Sequence, residues 1–344
     1  MSFLVPAFDP FGVALAVRLR ARIDGKAKPP GSLGRLEDLA VLVGLVQGTE
    51  TPSVGRIEAY IFAGDHGMNA EGVSAYPSAV TTAMVATFLA GRASVNAIAR
   101  ACDVELLVVD AGVDADVAAH PALIDAKVRR GTRNAAAEPA MTEAEVDDAL
   151  SRGARIAAAS PADALIIGEM GIGNTASATL LMHRLAPAAL DDCIGAGAGH
   201  DAEGLARKRA VLARAAARSD AIEVLDVLRQ FGGLEIAMMA GAILGGAEAG
   251  KLMVVDGFIS SAAALVAVRL APHLAERLIF AHASAERGHR DLLAAMDAQP
   301  LLDLDMRLGE GSGGVLAAPM LRAAARLISE TASLDDVLAG RVAP

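Results

Sequence analysis

The sequence predicts an α/β protein built on a parallel sheet. From Ile57 onward, short apolar runs alternate with alanine-rich helical segments, which is the pattern of such a sheet. The predicted strands are Ala59–Ala63, Glu105–Val109, Ala164–Ile167, Met253–Val255 and Leu278–Ala281, with Lys127–Arg133 as a possible edge strand. Each of the five main strands ends in glycine and polar residues. Because ligands bind outside the carboxyl ends of parallel strands, we expect a small-molecule site along that edge.

Both ends of the chain are predicted to be helical. Apolar residues recur with a helical period between Leu36 and Val46, and Ser32 precedes them as a possible helix cap. The preceding segment, Lys26–Gly34, is interpreted either as a functional loop or as a plain helix–helix connector. Near the other end, the glycine-rich segment Arg307–Gly314 precedes an apolar helix at Val315–Ile328.

Composition excludes several classes of protein. The 344-residue chain carries a net charge of −10 without a basic block, which argues against nucleic-acid binding. The longest apolar runs, Ile236–Ala247 and Gly257–Val268, are too short to span a bilayer and predict buried helices. The N-terminus lacks an export pattern, and Cys102 and Cys193 have no metal or redox spacing. We expect a cytoplasmic protein with two buried thiols.

The stretch 163–175 predicts an anion site. A buried strand runs into Gly168, Gly171 and Gly173, and Asn174 and Thr175 are placed to cap the helix that follows. A strand, a glycine turn and a helix N-terminus together favour a phosphate. The turn at Gly195–Gly199 is interpreted as a second contact to the same ligand.

Two standard motifs nearly fit this stretch. Gly168–Thr175 has the P-loop spacing, but Asn174 replaces the lysine, which argues against a nucleotide triphosphatase. The spacing of Gly171, Gly173 and Ala176 also matches the dinucleotide fingerprint. Its ribose-binding acid would be Asp191 or Asp192, after a poor strand. A nicotinamide-dependent oxidoreductase therefore stays open as an alternative.

Two glutamates are candidate catalytic groups. Glu169 lies beside the predicted phosphate site, and Glu310 stands between two glycines. The alternatives are a surface acid for Glu169 and a helix-start acid for Glu310. No histidine pair has metal-ligand spacing, and His282 and His289 are assigned to packing or hydrogen bonding. We therefore predict a site without metal or cofactor.

Six motifs that occur in order resemble one enzyme family. They are Lys28-Pro-Pro-Gly-Ser-Leu-Gly34, Gly64-Asp-His-Gly67 with Gly72-Val-Ser-Ala-Tyr-Pro77, Gly168-Glu-Met-Gly-Ile-Gly-Asn-Thr175, Gly195-Ala-Gly-Ala-Gly199, His282-Ala-Ser284 and Leu308-Gly-Glu-Gly-Ser-Gly313. Over nearly the whole chain, this set resembles the nicotinate-nucleotide–dimethylbenzimidazole phosphoribosyltransferase family of the cobalamin pathway. The resemblance implies transfer of phosphoribose from nicotinate mononucleotide to 5,6-dimethylbenzimidazole or a related base.

The resemblance also implies an architecture and an assembly. It implies a Rossmann-like, three-layer parallel sheet at 56–289 and a smaller helical domain made of 1–55 plus 290–344. It further implies a homodimer. The other alternative to catalysis is a non-catalytic, ligand-binding homologue.

By motif, the resemblance assigns roles to individual residues. Glu310 matches the proton acceptor and Glu169 the second active-site glutamate. Lys208 matches the active-site lysine, although flanking arginines leave a solvated basic face as its alternative. Ser284 and Ser74 match serines associated with the nucleotide and the base. The remaining expected substrate-binding residues are Tyr76, Gly171, Gly173, Asn174, Thr175, Gly197, Gly199 and Leu308.

Overall fold

The computed structural model describes residues 3–186, 188–195, 199 and 201–342. Its strands are β1 (Ile57–Gly64), β2 (Glu105–Gly112), β3 (Leu123–Asp125), β4 (Ala164–Met170), β5 (Leu252–Val255), β6 (Leu278–Phe280), β7 (His282–Ala283) and β8 (Leu302–Asp303). Within the described residues, β1 to β6 form one sheet of order β3-β2-β1-β4-β5-β6, and every neighbouring pair is parallel. The order reverses between β1 and β4, which is the switch point where doubly wound sheets open a crevice.

Helices cover both faces of this sheet. They are α1 (Val13–Asp24), α2 (Arg35–Val46), α3 (Ala79–Leu89), α4 (Ser94–Ala101), α5 (Glu143–Ala159), α6 (Asn174–Leu185), α7 (Leu190–Cys193), α8 (Ala202–Arg218), α9 (Val224–Phe231), α10 (Leu234–Glu248), α11 (Phe258–Leu270), α12 (His289–Ala294), α13 (Ser312–Glu330) and α14 (Leu334–Leu338). The Rossmann-like, three-layer α/β fold expected from the sequence is therefore confirmed.

Side-chain alternation along the strands divides the core in two. Leu165 and Ile167 of β4 join the core packed by α5, α6, α10 and α11. Ala164 and Ile166 point to the other face, where α2 and α13 supply most of the cover. Because β4 is buried along its length, its sequence is an uninterrupted apolar run as far as Gly168.

The two chain ends meet on one face of the sheet. Helices α1 and α2 pack with α13, and Lys26 pairs with Ser333 in an isolated antiparallel bridge. The side chains of these helices share their core with β1 and β4. The division into a domain of 1–55 plus 290–344 and a domain of 56–289 stays a prediction.

The five main predicted strands are present, each at the predicted place within a few residues. The predicted edge strand at Lys127–Arg133 is wrong, because the edge of the sheet is β3, at Leu123–Asp125. The 127–133 segment is not a strand, and its Lys127 ammonium group donates to the carbonyls of Val113 and Ala115. Lys127 thus stabilises a loop, and the alternation of apolar and basic residues beside it only resembles the pattern of a strand.

Both predicted side-chain caps are also wrong. Helix α2 begins after Gly34 rather than at Ser32, and Glu37 from its first turn accepts hydrogen bonds from the amides of Gly31 and Leu33. Helix α6 follows Gly173, without a side-chain cap. Asn174 is its first residue, and its amide group points to Glu169 instead.

The membrane and cysteine predictions can be compared with the structure directly. Within the described residues, one segment, 79–101, is long and apolar enough by composition to cross a membrane. It is divided into α3 and α4, with 11 and 8 residues, each of which is shorter than a bilayer core. The predicted burial of both thiols is half right, because Cys193 is buried and Cys102 is partly exposed.

Candidate active site

A cleft of about 380 Å³ lies at the carboxyl ends of β4 and β5, beside the point where the strand order reverses. Helices α6, α11 and α13 all begin at this edge, so their N-terminal turns border the cleft. Its lining combines apolar side chains with carboxylates and hydroxyls: Tyr76, Val80, Met84, Glu169, Met170, Gly171, Ile172, Asn174, Thr175, Asp256, Gly257, Phe258, Ile259, Ser260, His282, Ser284, Glu286, Arg307, Leu308, Gly309 and Glu310. An apolar cleft with a few convergent polar groups is typical of a small-molecule site.

Glu169 lies near the end of β4 and is 8% exposed. One of its carboxylate oxygens, Oε2, accepts a hydrogen bond from the Asn174 amide group. The other, Oε1, accepts from the backbone N–H of Glu310 at 3.4 Å. These contacts fix a carboxylate at the floor of the cleft, which excludes the surface-acid alternative.

Glu310 is held in the turn before α13. Gly309, Glu310 and Gly311 all have positive φ, at 82°, 63° and 77°. A left-handed conformation at a non-glycine residue costs about 1–2 kcal/mol, and strained residues of this kind cluster at functional sites. Glu310 is 7% exposed, and among the described residues its Oε2 has no hydrogen-bond partner. The strained turn therefore holds a buried, unpartnered carboxylate oxygen on a residue that lines the cleft.

Glycines allow this turn to lie directly on β4. A Cβ atom at Gly168 would lie 2.6 Å from the Cα atom of Gly311, and one at Gly309 would lie 2.3 Å from Oε1 of Glu169. Real Cβ atoms do not approach so closely, so neither position accepts a side chain without movement. The glycines of the two motifs thus bring Glu169 and Glu310 together.

Asp256, directly after β5, anchors the same turn. Its two carboxylate oxygens accept the backbone N–H groups of Gly311 at 3.1 Å and Gly314 at 2.9 Å. His282 places Nδ1 3.7 Å from Asp256 Oδ1. The Asp256 carboxylate therefore satisfies the N-terminal turn of α13 and faces the positive end of the helix dipole.

The crowding of carboxylates changes their titration. Burial raises the pKa of Glu169 to about 8, and the nearby Asp256 adds to the effect. Burial, again with Asp256, raises the pKa of Glu310 to about 7. A carboxyl group that titrates near neutral pH in a cleft is suited to proton transfer.

Lys208 is buried behind this floor, although its exposed neighbours suggested a solvated face. The ammonium group donates to Thr175 Oγ1 and to the Gly195 carbonyl, both at 3.1 Å. Burial lowers the pKa of Lys208 to about 8. A buried cation held by neutral oxygens beside the start of α6 favours an anionic ligand at this end of the cleft.

The predicted site residues fall into three groups. The cleft is lined by Glu169, Glu310, Tyr76, Gly171, Asn174, Thr175, Ser284 and Leu308. Outside its lining lie Ser74, whose hydroxyl accepts from the Tyr76 N–H, Gly173, which has positive φ as the N-cap of α6, Gly199 and Lys208. Gly197 lies outside the described residues.

Gly171 and Gly173 are needed for packing as well as for any ligand. A Cβ atom at Gly171 would lie 2.4 Å from the Gly64 carbonyl, so the turn packs against the end of β1. Gly173 has a φ of 94°, and a Cβ atom there would meet the side chain of Asn69.

Asp256 and His282 line the cleft, as do Glu286 and Arg307. The sequence predicts packing or hydrogen bonding for His282 and no role for the other three. The signal for the first two was their place directly after predicted strands. His282 and His289 were expected to pack or hydrogen-bond, and His289 does so: Nδ1 accepts from the Ser284 N–H at 2.8 Å and Nε2 lies 3.0 Å from Ser261 Oγ.

A second buried pair lies below the floor of the cleft. His66 Nε2 is 2.7 Å from Glu235 Oε1, and His66 Nδ1 is 3.0 Å from Ser177 Oγ. Although burial opposes it, Glu235 raises the pKa of His66. The pair joins the end of β1 to the start of α10 and to α6, and so supports the crevice from below.

The structure also bears on the dinucleotide fingerprint and on metal binding. Asp191 and Asp192 lie in the short helix α7 rather than at the end of a strand, so the dinucleotide fingerprint lacks its ribose-binding acid. Across all the residues that the structure describes, no group of three or more His, Cys, Asp or Glu side chains is placed to hold a metal ion.

Comparison with known proteins gives consistent matches along nearly the whole chain. A phosphoribosyltransferase family model matches residues 9–337. A nicotinate-nucleotide–dimethylbenzimidazole phosphoribosyltransferase from Ralstonia nicotianae is 52% identical, with 99% of this chain and 97% of the relative aligned. One from Variovorax paradoxus is 50% identical over 94% of this chain and 93% of its own. The crystal structure of CobT from Thermus thermophilus superposes with a TM-score of 0.90 at 44% identity, covering 94% of this chain and 98% of that one. The chain therefore belongs to the nicotinate-nucleotide–dimethylbenzimidazole phosphoribosyltransferase family.

Proposed function

We propose that this protein transfers phosphoribose from nicotinate mononucleotide to 5,6-dimethylbenzimidazole, giving α-ribazole 5′-phosphate and nicotinate. The observation that carries the proposal is the unpartnered carboxylate oxygen of Glu310, held by a strained turn over the buried Glu169. The relatives from Ralstonia nicotianae and Variovorax paradoxus carry the name of this activity, and each aligns with nearly the whole of this chain.

The reaction needs a single base, and Glu310 fits that role. The pyridinium of nicotinate mononucleotide leaves as a neutral ring and needs no general acid, unlike the alkoxide of a glycoside. Glu310 accepts the benzimidazole N–H proton while the other ring nitrogen attacks the anomeric carbon and the bond to nicotinate breaks. Attack from the face opposite the leaving group converts the β-nucleotide into an α-riboside.

Glu169 is suited to an electrostatic role. When ionised, its carboxylate stabilises positive charge that develops on the ribose ring as the leaving group departs. The hydrogen bonds from Asn174 and from the Glu310 backbone keep it in place without using the unpartnered side-chain oxygen of Glu310. Thr175 and the first turns of α6 and α11 supply donors for the 5′-phosphate, which stays attached throughout, and Lys208 adds positive charge from behind the lining through its contact to Thr175.

The azole is proposed to bind at the apolar end of the cleft. Tyr76, Val80, Met84 and Ile172 line that end, and Leu308 lies next to the Gly309–Gly311 turn. A flat bicyclic ring requires apolar contact on its faces and one proton acceptor at its edge, which these residues and Glu310 provide. Ser74 supports this end through its hydrogen bond to the Tyr76 backbone.

The test is the formation of product from purified protein. Incubation with nicotinate mononucleotide and dimethylbenzimidazole should yield α-ribazole 5′-phosphate and nicotinate in equal amounts, measured by chromatography. Binding of both substrates without product would favour the non-catalytic homologue. Oxidation of a reduced nicotinamide cofactor would favour the oxidoreductase.

The assembly and the setting are proposals of the same rank. A homodimer is supported by exposed apolar side chains on the end helices, Val13 and Val17 on α1 and Leu338 on α14. A mass of one chain in light scattering at working concentration would contradict it. A cytoplasmic location is supported by the two free cysteines.

A further inference from the structure

Two charged side chains in the cleft have no part in the mechanism above. Glu286 and Arg307 both line it, near Ser284. The Ala285 N–H donates to the Met306 carbonyl at 2.8 Å, so the segments that carry Glu286 and Arg307 run side by side. The Glu286 N–H also donates to Ser284 Oγ at 3.2 Å, which ties its position to the cleft wall.

Glu286 lies close to the buried Lys208. A Cβ atom at Gly195 would lie 2.8 Å from Glu286 Oε2, and the Lys208 ammonium group is 3.1 Å from the Gly195 carbonyl. Lys208 donates to neutral oxygens alone among the described residues, at Thr175 and Gly195. The Glu286 carboxylate therefore supplies negative charge close to Lys208, since both groups lie beside Gly195.

Arg307, an exposed residue of the cleft lining, lies on the neighbouring segment. Burial raises the pKa of Glu286, while Lys208 and Arg307 both act to lower it. Among the described residues, the Arg307 guanidinium makes no hydrogen bond or close ion pair, and it lines the cleft. Two cations thus lie near enough to one carboxylate to affect its pKa, and among the described residues neither forms an ion pair with it.

We propose that Arg307 is a second cation of the phosphate-binding end, and that the Glu286 carboxylate occupies the place of the phosphate until the nucleotide binds. The inference rests on the proposed function for the identity of the nucleotide. It goes further by assigning a competition between an internal carboxylate and the 5′-phosphate for Lys208 and Arg307.

The charges of Glu286 and Arg307 should affect phosphate binding in opposite directions. A phosphate dianion beside an ionised carboxylate is repelled, so binding requires Glu286 to turn away or to take up a proton. Removal of the Glu286 charge should therefore tighten phosphate binding, although Glu286 itself lines the cleft. Removal of the Arg307 charge should weaken binding, because a charge-assisted contact is lost.

The experiment is calorimetric titration of the full-length protein with ribose 5-phosphate and, separately, with inorganic phosphate. We expect Glu286→Gln to lower the dissociation constant of each by about tenfold. We expect Arg307→Gln to raise it by about tenfold, with Arg307→Lys between that variant and the parent. Matched controls are Glu276→Gln and Arg290→Gln, which remove exposed charges outside the cleft lining.

The outcomes separate this inference from its rivals. Weaker binding of ribose 5-phosphate by Glu286→Gln, with inorganic phosphate unaffected, would show that Glu286 binds the ribose hydroxyls and would overturn the proposal. Unchanged or undetectable binding in parent and variants would also overturn it. Neither phosphate probe depends on turnover. Product formation by the parent with failure of these titrations would leave the proposed function standing, and the reverse result would leave the phosphate competition standing.

Discussion

Glu310→Gln tests the proposed base with little change in shape. The substitution keeps the volume of the side chain and removes its basicity, while the Gly309–Gly311 turn and its contacts to Asp256 are made by the backbone. General-base assistance typically contributes about 10²–10⁴-fold, so kcat should fall within that range. The dissociation constant of nicotinate mononucleotide should change little, since Glu310 is proposed to contact the azole.

The pH dependence of kcat/KM gives a second, independent reading. The base must be ionised, and the pKa of Glu310 is raised to about 7. One pH unit below that value only about one-tenth of the protein carries the ionised base, so kcat/KM should fall roughly tenfold per unit below pH 7. The limb near pH 7 should be missing from the residual activity of Glu310→Gln, whereas a limb near pH 8 from the ionisation of Glu169 should remain.

The assay is steady-state turnover from pH 5.5 to 9, beside calorimetric binding at pH 8 for each variant. Glu169→Gln is the matched control, because it removes the neighbouring carboxylate while Glu310 keeps its burial and Asp256. That variant should lose activity but keep the limb near pH 7. If Glu310→Gln turns over like the parent, or keeps the limb near pH 7 while Glu169→Gln loses it, the proton acceptor is Glu169 and the assignment of Glu310 is wrong.

Three further predictions concern the floor of the cleft and its ligands. Gly168→Ala should lower the free energy of unfolding by about 1–3 kcal/mol and reduce kcat, because its Cβ atom would lie 2.6 Å from Gly311; urea denaturation measures the first effect, and an unchanged midpoint would contradict the packing argument. The pKa of Glu169 is raised from 4.5 to about 8, so its buried acid stabilises the fold at low pH and that contribution is lost as pH rises towards 8. Glu169→Gln should therefore melt higher than the parent at pH 8.5 and alike at pH 4.5, and a gain confined to acid pH would contradict the sign. Turnover should survive excess EDTA, because the leaving ring departs neutral and the phosphate stays attached; complete loss that a divalent ion restores would contradict this.

Local pattern was sufficient to predict the sheet. Buried parallel strands such as β4 are short apolar runs, and the turns that follow them carry glycine and polar residues, so strand ends could be placed along one edge. The pattern failed at Lys127–Arg133, where tertiary contacts of Lys127 determine the structure of the loop. It failed again at Asn174, a residue that is suited to a helix cap but donates to Glu169 instead.

The site required long-range packing that no local pattern contains. Glu169 and Glu310 are 141 residues apart in sequence, and they meet because Gly168 and Gly309 leave no side chain between β4 and the turn before α13. Each glycine by itself predicts only a turn or a close approach, and the identity of the surface that approaches appears in neither motif. Asp256 could be placed at a strand end, but its function depends on the amides of Gly311 and Gly314, which come from the other end of the chain. The raised pKa of Glu310 follows from that arrangement, because burial and the charge of Asp256 both act on a carboxylate with no partner of its own. A carboxyl group that titrates near neutral pH is thus a property of the assembled turn, and the Glu310→Gln profile tests the assembly as much as the residue.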